Sequence, residues 1–251
     1  MAVEATRTLE MRLGRAALEI TEWPDRCDEA TTVWDAGLIL AHYIACGRGG
    51  GWATRLAGVR AVDLGAGTGL VGLAAAACGA DVVLTDQEEC LDILRLNAEA
   101  NAATIAAAGG GRVEVMPLGW GDEVATQRCR DSGGAGRGYD LVLCGDCMYH
   151  TGDAPEKLVD TVRALLAPRR PAGANAIEPT VLVANERRLQ TTTVVGDTKP
   201  LHGAQERACL DLFRKTFDVC AIPAAHQHEH YNNAGVELWS LTRPQRGGGT
   251  A

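Results

Sequence analysis

The sequence predicts an α/β protein built on a doubly wound, mostly parallel β-sheet. Short apolar runs typical of buried strands alternate with longer amphipathic runs typical of helices. A glycine cluster follows the first strand of this alternation, at the end of the sheet where such folds bind their ligands. The last two strand-like runs, DVCAI and VELWSL, have no helical run between them, so we expect them to form an antiparallel pair.

The first elements precede this alternation. The stretch LEMRL alternates apolar and charged residues, which indicates a half-buried strand. TTVWDAGLILAHYIA has apolar residues at helical spacing, and either Thr31 or Thr32 is suited to cap that helix. VRAVDL predicts the first strand of the core, and LVGLAAAACG predicts a helix that Gly79 closes.

The alternation continues through the second half of the chain. DVVLTD, RVEVMPL, YDLVLCGD and TVLVAN predict further strands of the core. QEECLDILRLNAEAN and AQERACLDLFRKTF place apolar residues on one face, which predicts amphipathic helices. Asp153 and Glu156, with Pro155 between them, predict a capping box at the start of the helix EKLVDTVRALL.

The chain is predicted to fold as one domain over residues 1–251. We expect an N-terminal strand and helix extension at 1–56, a Rossmann-like core at 57–243 and a flexible tail at 244–251. The connectors GGAGRG and APRRPAGANAIEP are rich in glycine or proline, so we expect them to be flexible as well.

Composition and charge argue against several classes of partner. The formal net charge of −8 argues against sequence-blind binding to nucleic acid or to an anionic membrane, because both require a basic surface. No apolar run reaches the length of a membrane span, and the N-terminus lacks the apolar core of a signal peptide. Nine cysteines, an odd number, do not resemble a secreted disulfide framework. We therefore expect a soluble, cytoplasmic protein, and we expect a monomer.

The glycine cluster matches a dinucleotide-binding fingerprint in one register. Gly67–Gly72 reads G-x-G-x-x-G, and Asp86 follows at the distance expected for a ribose contact. However, the first glycine after the strand is Gly65, whereas the dinucleotide pattern would begin only at Gly67, two residues further along. Asp63 also places a negative charge at the strand end, where a pyrophosphate gains nothing from it. An NAD-binding site is therefore the weaker interpretation.

A cationic cofactor fits the same cluster better. Asp63, Gly65, Gly67 and Gly69 form D-x-G-x-G-x-G, a pattern that methyltransferases use for S-adenosylmethionine, which carries a sulfonium and no phosphate. Glycines let the backbone approach a ligand that a Cβ would exclude. Asp86, at the end of the next strand, would accept hydrogen bonds from the ribose hydroxyls. The alternative is that the glycine cluster forms a tight turn that serves only packing and binds no ligand.

Two motifs overlap in LVLCGDCMYH. Cys144 and Cys147 form C-x-x-C, the spacing of a redox pair or of half a zinc site, whereas Asp146 and Tyr149 form D-x-x-Y. Redox pairs of this spacing usually open a helix, but Cys144 still belongs to a strand, and no second C-x-x-C completes a zinc site. We interpret both cysteines as small packed side chains and D-x-x-Y as the functional motif.

The histidine-rich segment HQHEH, residues 226–230, is a second candidate metal site. Its three histidines alternate, so in an extended strand they would share one side and lie too close together for a compact site. We interpret the segment as a polar loop near the substrate entrance. No metal site is predicted.

Five segments occur in the order of a known family. VWDAGLILAHYI, AVDLGAGTGLVGL, VVLTDQEECLDILRLNAEAN, PLGWGD and YDLVLCGDCMY, within residues 31–149, together resemble methyltransferase family 16, the non-histone protein-lysine methyltransferases. The resemblance implies a seven-stranded class I methyltransferase fold that uses S-adenosylmethionine to methylate a lysine of a protein substrate. A small-molecule methyltransferase, an NAD-dependent oxidoreductase and a non-catalytic module that keeps the fold are the alternatives.

The resemblance also implies the roles of individual residues. The residues at the positions where the family contacts its cofactor are Trp34, Gly65, Ala66, Gly67, Asp86, Trp120 and Gly145. The family carries D-x-x-Y or D-x-x-F at the end of its fourth strand, which Asp146 and Tyr149 match. Asp146 would orient the acceptor amine through a charge-assisted hydrogen bond, and the ring of Tyr149 would confine its nitrogen. Because a carboxylate favours the ammonium form, the amine must lose its proton elsewhere, for example to water.

Overall fold

The computed structural model describes residues 6–13, 16–24, 29–46, 51–132, 136–169, 177–191, 200–202 and 204–244. Residues 133–135 and 170–176 of the two glycine- and proline-rich connectors and residues 245–251 of the tail lie outside these ranges. The flexibility expected of those segments therefore stays a prediction.

Eleven strands occur in the described part of the chain. They are β1 (Arg7–Leu13), β2 (Ala16–Glu22), β3 (Arg60–Leu64), β4 (Asp81–Asp86), β5 (Val113–Pro117), β6 (Leu141–Gly145), β7 (Thr180–Glu186), β8 (Leu189–Thr191), β9 (Pro200–His202), β10 (Asp218–Ala221) and β11 (Val236–Thr242). Seven of them form one sheet in the order β10-β11-β7-β6-β3-β4-β5, and β1-β2 and β8-β9 form two antiparallel hairpins.

The sheet confirms the predicted fold class. Strands β7, β6, β3, β4 and β5 are parallel, whereas β11 runs antiparallel to both β7 and β10. From β3 the chain proceeds to β4 on one side, and β6 pairs with β3 on the other. The strand order therefore reverses beside β3, and a crevice opens there at the carboxyl ends of the strands.

Helices cover both faces of the sheet. They are α1 (Asp35–Ala45), α2 (Trp52–Arg55), α3 (Leu70–Ala77), α4 (Leu91–Ala107), α5 (Glu123–Asp131), α6 (Ala154–Leu165) and α7 (Ala204–Arg214). The helices α1, α3 and α4 share one apolar core with the β1-β2 hairpin, whereas α5, α6 and α7 pack on the opposite face over a second core. No helix within the described ranges is long and apolar enough to cross a membrane.

Two predicted helix caps are wrong. Helix α1 begins at Asp35 without a side-chain cap, because Thr31 and Thr32 lie one turn too early in the sequence. The Thr31 hydroxyl instead donates a hydrogen bond to the carbonyl of Trp23. At α6, Asp153 occupies the N-cap position, but its carboxylate makes an ion pair with Lys157 and accepts no capping hydrogen bond.

Candidate active site

A cavity of about 780 Å³ lies at the carboxyl ends of β3, β4 and β6. Ten of the eleven residues predicted for the site line it: Trp34, Asp63, Gly65, Ala66, Gly67, Asp86, Trp120, Gly145, Asp146 and Tyr149. The sheet topology explains this convergence, because parallel neighbours deliver their strand ends to one edge. Gly69 is the remaining predicted residue, and it does not line the cavity.

The three glycines of the loop after β3 all have positive φ angles, +61° at Gly65, +54° at Gly67 and +85° at Gly69. A Cβ on Gly67 would lie 3.0 Å from the carbonyl oxygen of Ala30, which closes the loop from the other side. A Cβ on Gly69 would lie 2.7 Å from a methyl group of Leu94. Gly69 therefore serves the packing of α3 on α4, and Gly65 and Gly67 form the surface of the cavity.

Two acids hold this loop in shape. Asp63 is buried, and its Oδ2 accepts a hydrogen bond of 2.8 Å from the backbone N–H of Gly72 in the first turn of α3. Burial raises the pKa of Asp63 to about 7. Oδ2 of Asp86 accepts the backbone N–H of Gly67, also at 2.8 Å. The carboxylates thus fix the glycine loop as well as lining the cavity.

Asn97 on α4 ties the same loop to the N-terminal hairpin. Its Nδ2 donates to the carbonyls of Thr68 and Thr21, at 2.9 and 3.0 Å, and its Oδ1 accepts the backbone N–H of Thr21. Sequence analysis did not identify this residue. The available signal was an asparagine at a buried position of an amphipathic helix, where a polar side chain needs partners.

Aromatic side chains form the wall of the cavity. The ring of Trp120 packs beside Gly65, where an added Cβ would lie 3.2 Å from it, and meets the ring of His150 edge-on at 5.1 Å. Burial lowers the pKa of His150. Trp34 occupies the N-cap position of α1, is 41% exposed and donates its indole N–H to the carbonyl of Glu29. The wall is therefore flat and apolar on one side and open at the rim.

Asp146 lines the cavity directly after β6 and is held by β7. Its backbone N–H donates to the carbonyl of Ala184 at 2.8 Å, and its Oδ1 accepts the backbone N–H of Glu186 at 3.2 Å. The side chain of Asp146 is only 4% exposed. The carboxylate is thus fixed in position and almost fully removed from solvent.

Arg188 occupies the space in front of Asp146. Its Nη2 and Nη1 donate to Oδ2 and Oδ1 of Asp146, at 2.7 and 3.1 Å. The guanidinium carbon lies 4.6 Å from the ring centroid of Tyr149 and 5.7 Å from that of Trp34. One carboxylate and two aromatic rings therefore hold a cation here, an arrangement that sequence analysis did not predict.

Neither the C-x-x-C motif nor the histidine-rich segment 226–230 forms a reactive site within the described residues. Cys144 and Cys147 are buried, and the Cys144 hydrogen bond together with burial raises the pKa of Cys147, which makes it a poor nucleophile. In the 226–230 segment, His228 packs near His42 of α1, and Tyr231 just beyond it stacks on the His42 ring at 3.5 Å. No histidine of that segment lines the cavity, and no cluster that could hold a metal ion occurs within the described ranges.

The fold and the cavity together define a class I, Rossmann-like methyltransferase domain. The glycopeptide N-methyltransferase MtfA, solved with sinefungin, superposes with a TM-score of 0.51 over 90% of this chain and 100% of its own, at 15% identity. The pyocyanin biosynthetic protein PhzM superposes with a TM-score of 0.51 over 83% of this chain and 56% of its own, at 17% identity. At these identities the likeness concerns the fold alone.

The chain belongs to the lysine methyltransferase family, whose model matches residues 14–194. Protein N-lysine methyltransferase METTL21A of Danio rerio is 35% identical over 140 residues, which cover 56% of this chain and 57% of that protein. EEF1A lysine methyltransferase 3 of Mus musculus is 35% identical over 152 residues, 60% of this chain and 57% of that protein. The chain thus spans about half the length of the curated relatives it matches.

Proposed function

We propose that this protein transfers a methyl group from S-adenosylmethionine to the side-chain amine of a lysine in another protein. The observation that carries the proposal is the place in the cavity wall where Asp146, Tyr149 and Trp34 together hold a cationic side chain. A carboxylate that accepts N–H donors beside aromatic rings also suits the side-chain amine of a lysine. The names of the relatives, protein N-lysine methyltransferase and EEF1A lysine methyltransferase, support a protein lysine as the acceptor.

The cavity residues fit S-adenosylmethionine, which supplies an electrophilic methyl group when bound. Gly65 and Gly67 leave a cradle that a Cβ would fill, and Trp120 offers a flat surface for the adenine. We propose that Asp86, which lines the cavity, accepts hydrogen bonds from the ribose hydroxyls. The other residues that we propose to contact the cofactor are Trp34, Asp63, Ala66 and Gly145.

The protein contributes mainly the position of the amine. Methyl transfer is an in-line displacement, so the nitrogen lone pair must face the methyl carbon from the side opposite the sulfur. Asp146 is anchored to β7 and can accept a hydrogen bond from the amine, and the ring of Tyr149 limits its movement. Burial and a hydrogen bond with Glu29 raise the pKa of Tyr149, so its hydroxyl stays protonated at neutral pH. The proton lost by the amine passes to water.

We propose further that the protein acts as a cytoplasmic monomer without a nucleic-acid or membrane partner. The net charge of −8 and the cysteine composition support this proposal.

Calorimetric titration with S-adenosylmethionine, S-adenosylhomocysteine and NAD tests the cofactor. We expect micromolar binding of the first two and no binding of NAD. Binding of NAD alone would replace the proposal with an oxidoreductase, and binding of none of the three would contradict the assigned cofactor.

Radiolabelled S-adenosylmethionine with extract proteins then tests the acceptor. We expect label on lysine residues of a protein, identified by mass spectrometry of the labelled band. Label found only in the small-molecule fraction would favour a small-molecule methyltransferase instead.

A further inference from the structure

The ion pair between Asp146 and Arg188 bears on a chemical requirement of the reaction. Methyl transfer needs a neutral amine, but a buried carboxylate beside a lysine favours the ammonium form. Asp146 is such a carboxylate, because its side chain is 4% exposed. Acting alone, it would hold the acceptor in the unreactive protonation state.

Arg188 compensates the negative charge of Asp146 but does not use every hydrogen-bond acceptor position of that carboxylate. The described residues direct three N–H donors at the Asp146 carboxylate: the backbone of Glu186 and both Nη atoms of Arg188. A carboxylate has about four acceptor positions. One position therefore remains on Oδ2 for the amine, while the guanidinium compensates the negative charge.

The backbone and the aromatic rings keep Arg188 in this place. Glu206 on α7 accepts the backbone N–H of Arg188 at 3.3 Å, and the guanidinium lies over the rings of Tyr149 and Trp34. Burial lowers the pKa of Arg188, but the hydrogen bonds and the charge of Asp146 outweigh burial and raise it. The cation is thus permanent.

Resting on the proposed transfer to lysine, we propose that Arg188 is a positioning residue of the acceptor site. It compensates the charge of Asp146, so that the site takes an amine in its neutral form in preference to the ammonium ion. The other titratable or charged groups that face this pair come from three neighbouring segments: Cys147, Tyr149, His150, Glu186 and Glu206. Glu29 acts on Tyr149 and His150 beside the pair, and Asp86 acts on His150.

Sinefungin provides a probe that needs no knowledge of the protein substrate. It resembles S-adenosylhomocysteine but carries an amine at the position of the transferred methyl group, and this amine is protonated at neutral pH. The ratio of the two dissociation constants isolates the effect of that charge, because both ligands meet the same facing groups. Calorimetry would measure the ratio at pH 7.5 for the wild type, Arg188→Gln, Arg188→Lys and Arg187→Gln. Arg187 is the matched control, since it is exposed and pairs with Glu237.

We expect Arg188→Gln to increase the affinity for sinefungin relative to S-adenosylhomocysteine by about tenfold, because Asp146 becomes free to pair with the ammonium. The ratio of the two dissociation constants in Arg188→Lys should lie close to the wild-type ratio, and the ratio in Arg187→Gln should equal it. Asp146→Asn combined with Arg188→Gln should abolish the gain. An unchanged or lower ratio in Arg188→Gln would overturn the proposal.

The pH dependence of the wild type gives a second test that requires no variant. Between pH 7.5 and 9.5, sinefungin loses its proton, so its affinity relative to S-adenosylhomocysteine should rise severalfold in the wild type. A fall over this range would show that the wild-type site prefers the ammonium and would contradict the role of Arg188. Failure of S-adenosylhomocysteine itself to bind would instead refute the proposed function, and with it the inference.

Discussion

At the scale of single residues, the backbone of Asp146 sets the geometry of the proposed acceptor site. Its φ of +59° is the only left-handed value at a non-glycine residue within the described ranges. Aspartate tolerates this conformation better than most residues. The turn directs both the backbone N–H and the carboxylate towards β7, where Ala184 and Glu186 hold them. The carboxylate is therefore oriented before any substrate arrives, which reduces the cost of reorganisation.

Asp146→Asn should separate cofactor binding from methyl transfer. Asparagine also tolerates a left-handed backbone, and its amide oxygen can still accept the N–H of Glu186. We expect binding of S-adenosylhomocysteine to remain within a few-fold of the wild type, whereas transfer to protein falls by about 100-fold because the amine is no longer oriented. Calorimetry and labelling of extract proteins measure the two effects. Asp160→Asn on the exposed face of α6 is the control, and full activity of Asp146→Asn would refute the assigned acceptor site.

The sequence predicted the residues of the site better than the contacts among them. Asp146 and Tyr149 share a local motif, so their proximity was predictable. The pairing of Asp146 with Arg188 depends on the hydrogen bonding of β6 to β7, and strand order is not encoded in any local pattern. Gly69 was assigned to the cofactor from its place in the glycine pattern, but its surroundings show packing against Leu94.

At the scale of elements, the glycine loop depends on how closely α3 approaches the sheet. A Cβ on Gly72 would lie 2.2 Å from a methyl group of Leu84 and 3.1 Å from both Val82 and the carboxylate of Asp63. Only a glycine permits this distance between helix and strands. Its N–H also donates to Asp63, so the same residue couples the helix to the acid beneath the cavity.

Gly72→Ala should destabilise the protein, whereas Gly37→Ala should not. Both glycines lie in helices, but a Cβ on Gly37 meets only an ordinary contact of 3.7 Å with Val71. We expect Gly72→Ala to lower the free energy of unfolding by about 1–3 kcal/mol through overpacking. We expect Gly37→Ala to raise it by up to about 1 kcal/mol through helix propensity. Urea unfolding compares them, and equal effects would contradict the packing argument.

The β1-β2 hairpin is attached to α4 by two asparagines one turn apart. Asn97 pairs with the backbone of Thr21, and Asn101 pairs in the same way with the backbone of Glu19. We expect Asn97→Ala to lower the free energy of unfolding by at least about 2 kcal/mol, because buried backbone groups lose their partners. It should also weaken binding of S-adenosylhomocysteine, since Thr68 of the loop is released. Glu99→Ala, exposed on the same helix, should change neither quantity, and equal effects of the two variants would argue against this role for Asn97.

Most elements with a strong apolar period were predicted, and most of those without one were missed. All seven strands of the main sheet correspond to apolar runs in the sequence. Helix α5 was missed because it buries only Thr126 and Cys129, so its sequence EVATQRCRD carries almost no apolar period. Strand β2 is the exception. It was missed although Leu18 and Ile20 alternate with polar residues, which is the pattern of a half-buried strand. The short β8-β9 hairpin is defined by pairing, which no local pattern encodes.

At the scale of the whole molecule, two buried titratable groups act in opposite directions on stability. Burial raises the pKa of Asp63 from 3.8 to about 7, whereas burial and the charge of His228 lower the pKa of His42 from 6.5 to about 4. Between the unfolded and folded pKa values of Asp63, the folded protein binds more protons at this residue than the unfolded chain does. Between the folded and unfolded pKa values of His42, it binds fewer. As pH rises from 4 to 7, Asp63 therefore lowers the free energy of unfolding and His42 raises it.

Substitution of either group should reveal the contribution of the other. From pH 4.5 to 7.5, we expect the free energy of unfolding of Asp63→Asn to rise relative to the wild type by about 3 kcal/mol, and that of His42→Asn to fall by about 2.5 kcal/mol, as one pKa unit corresponds to 1.36 kcal/mol. Urea unfolding across this range measures the free energy of unfolding of each variant and of the wild type. In the difference between a variant and the wild type, the titration of all groups that the two proteins share cancels.

S-adenosylmethionine should reduce the pH dependence that arises from Asp63, because its positive charge favours the ionised carboxylate. The pH dependence that arises from His42 should not change, because His42 lies outside the cavity lining. Parallel pH profiles of the two variants would show that neither group titrates as its burial requires.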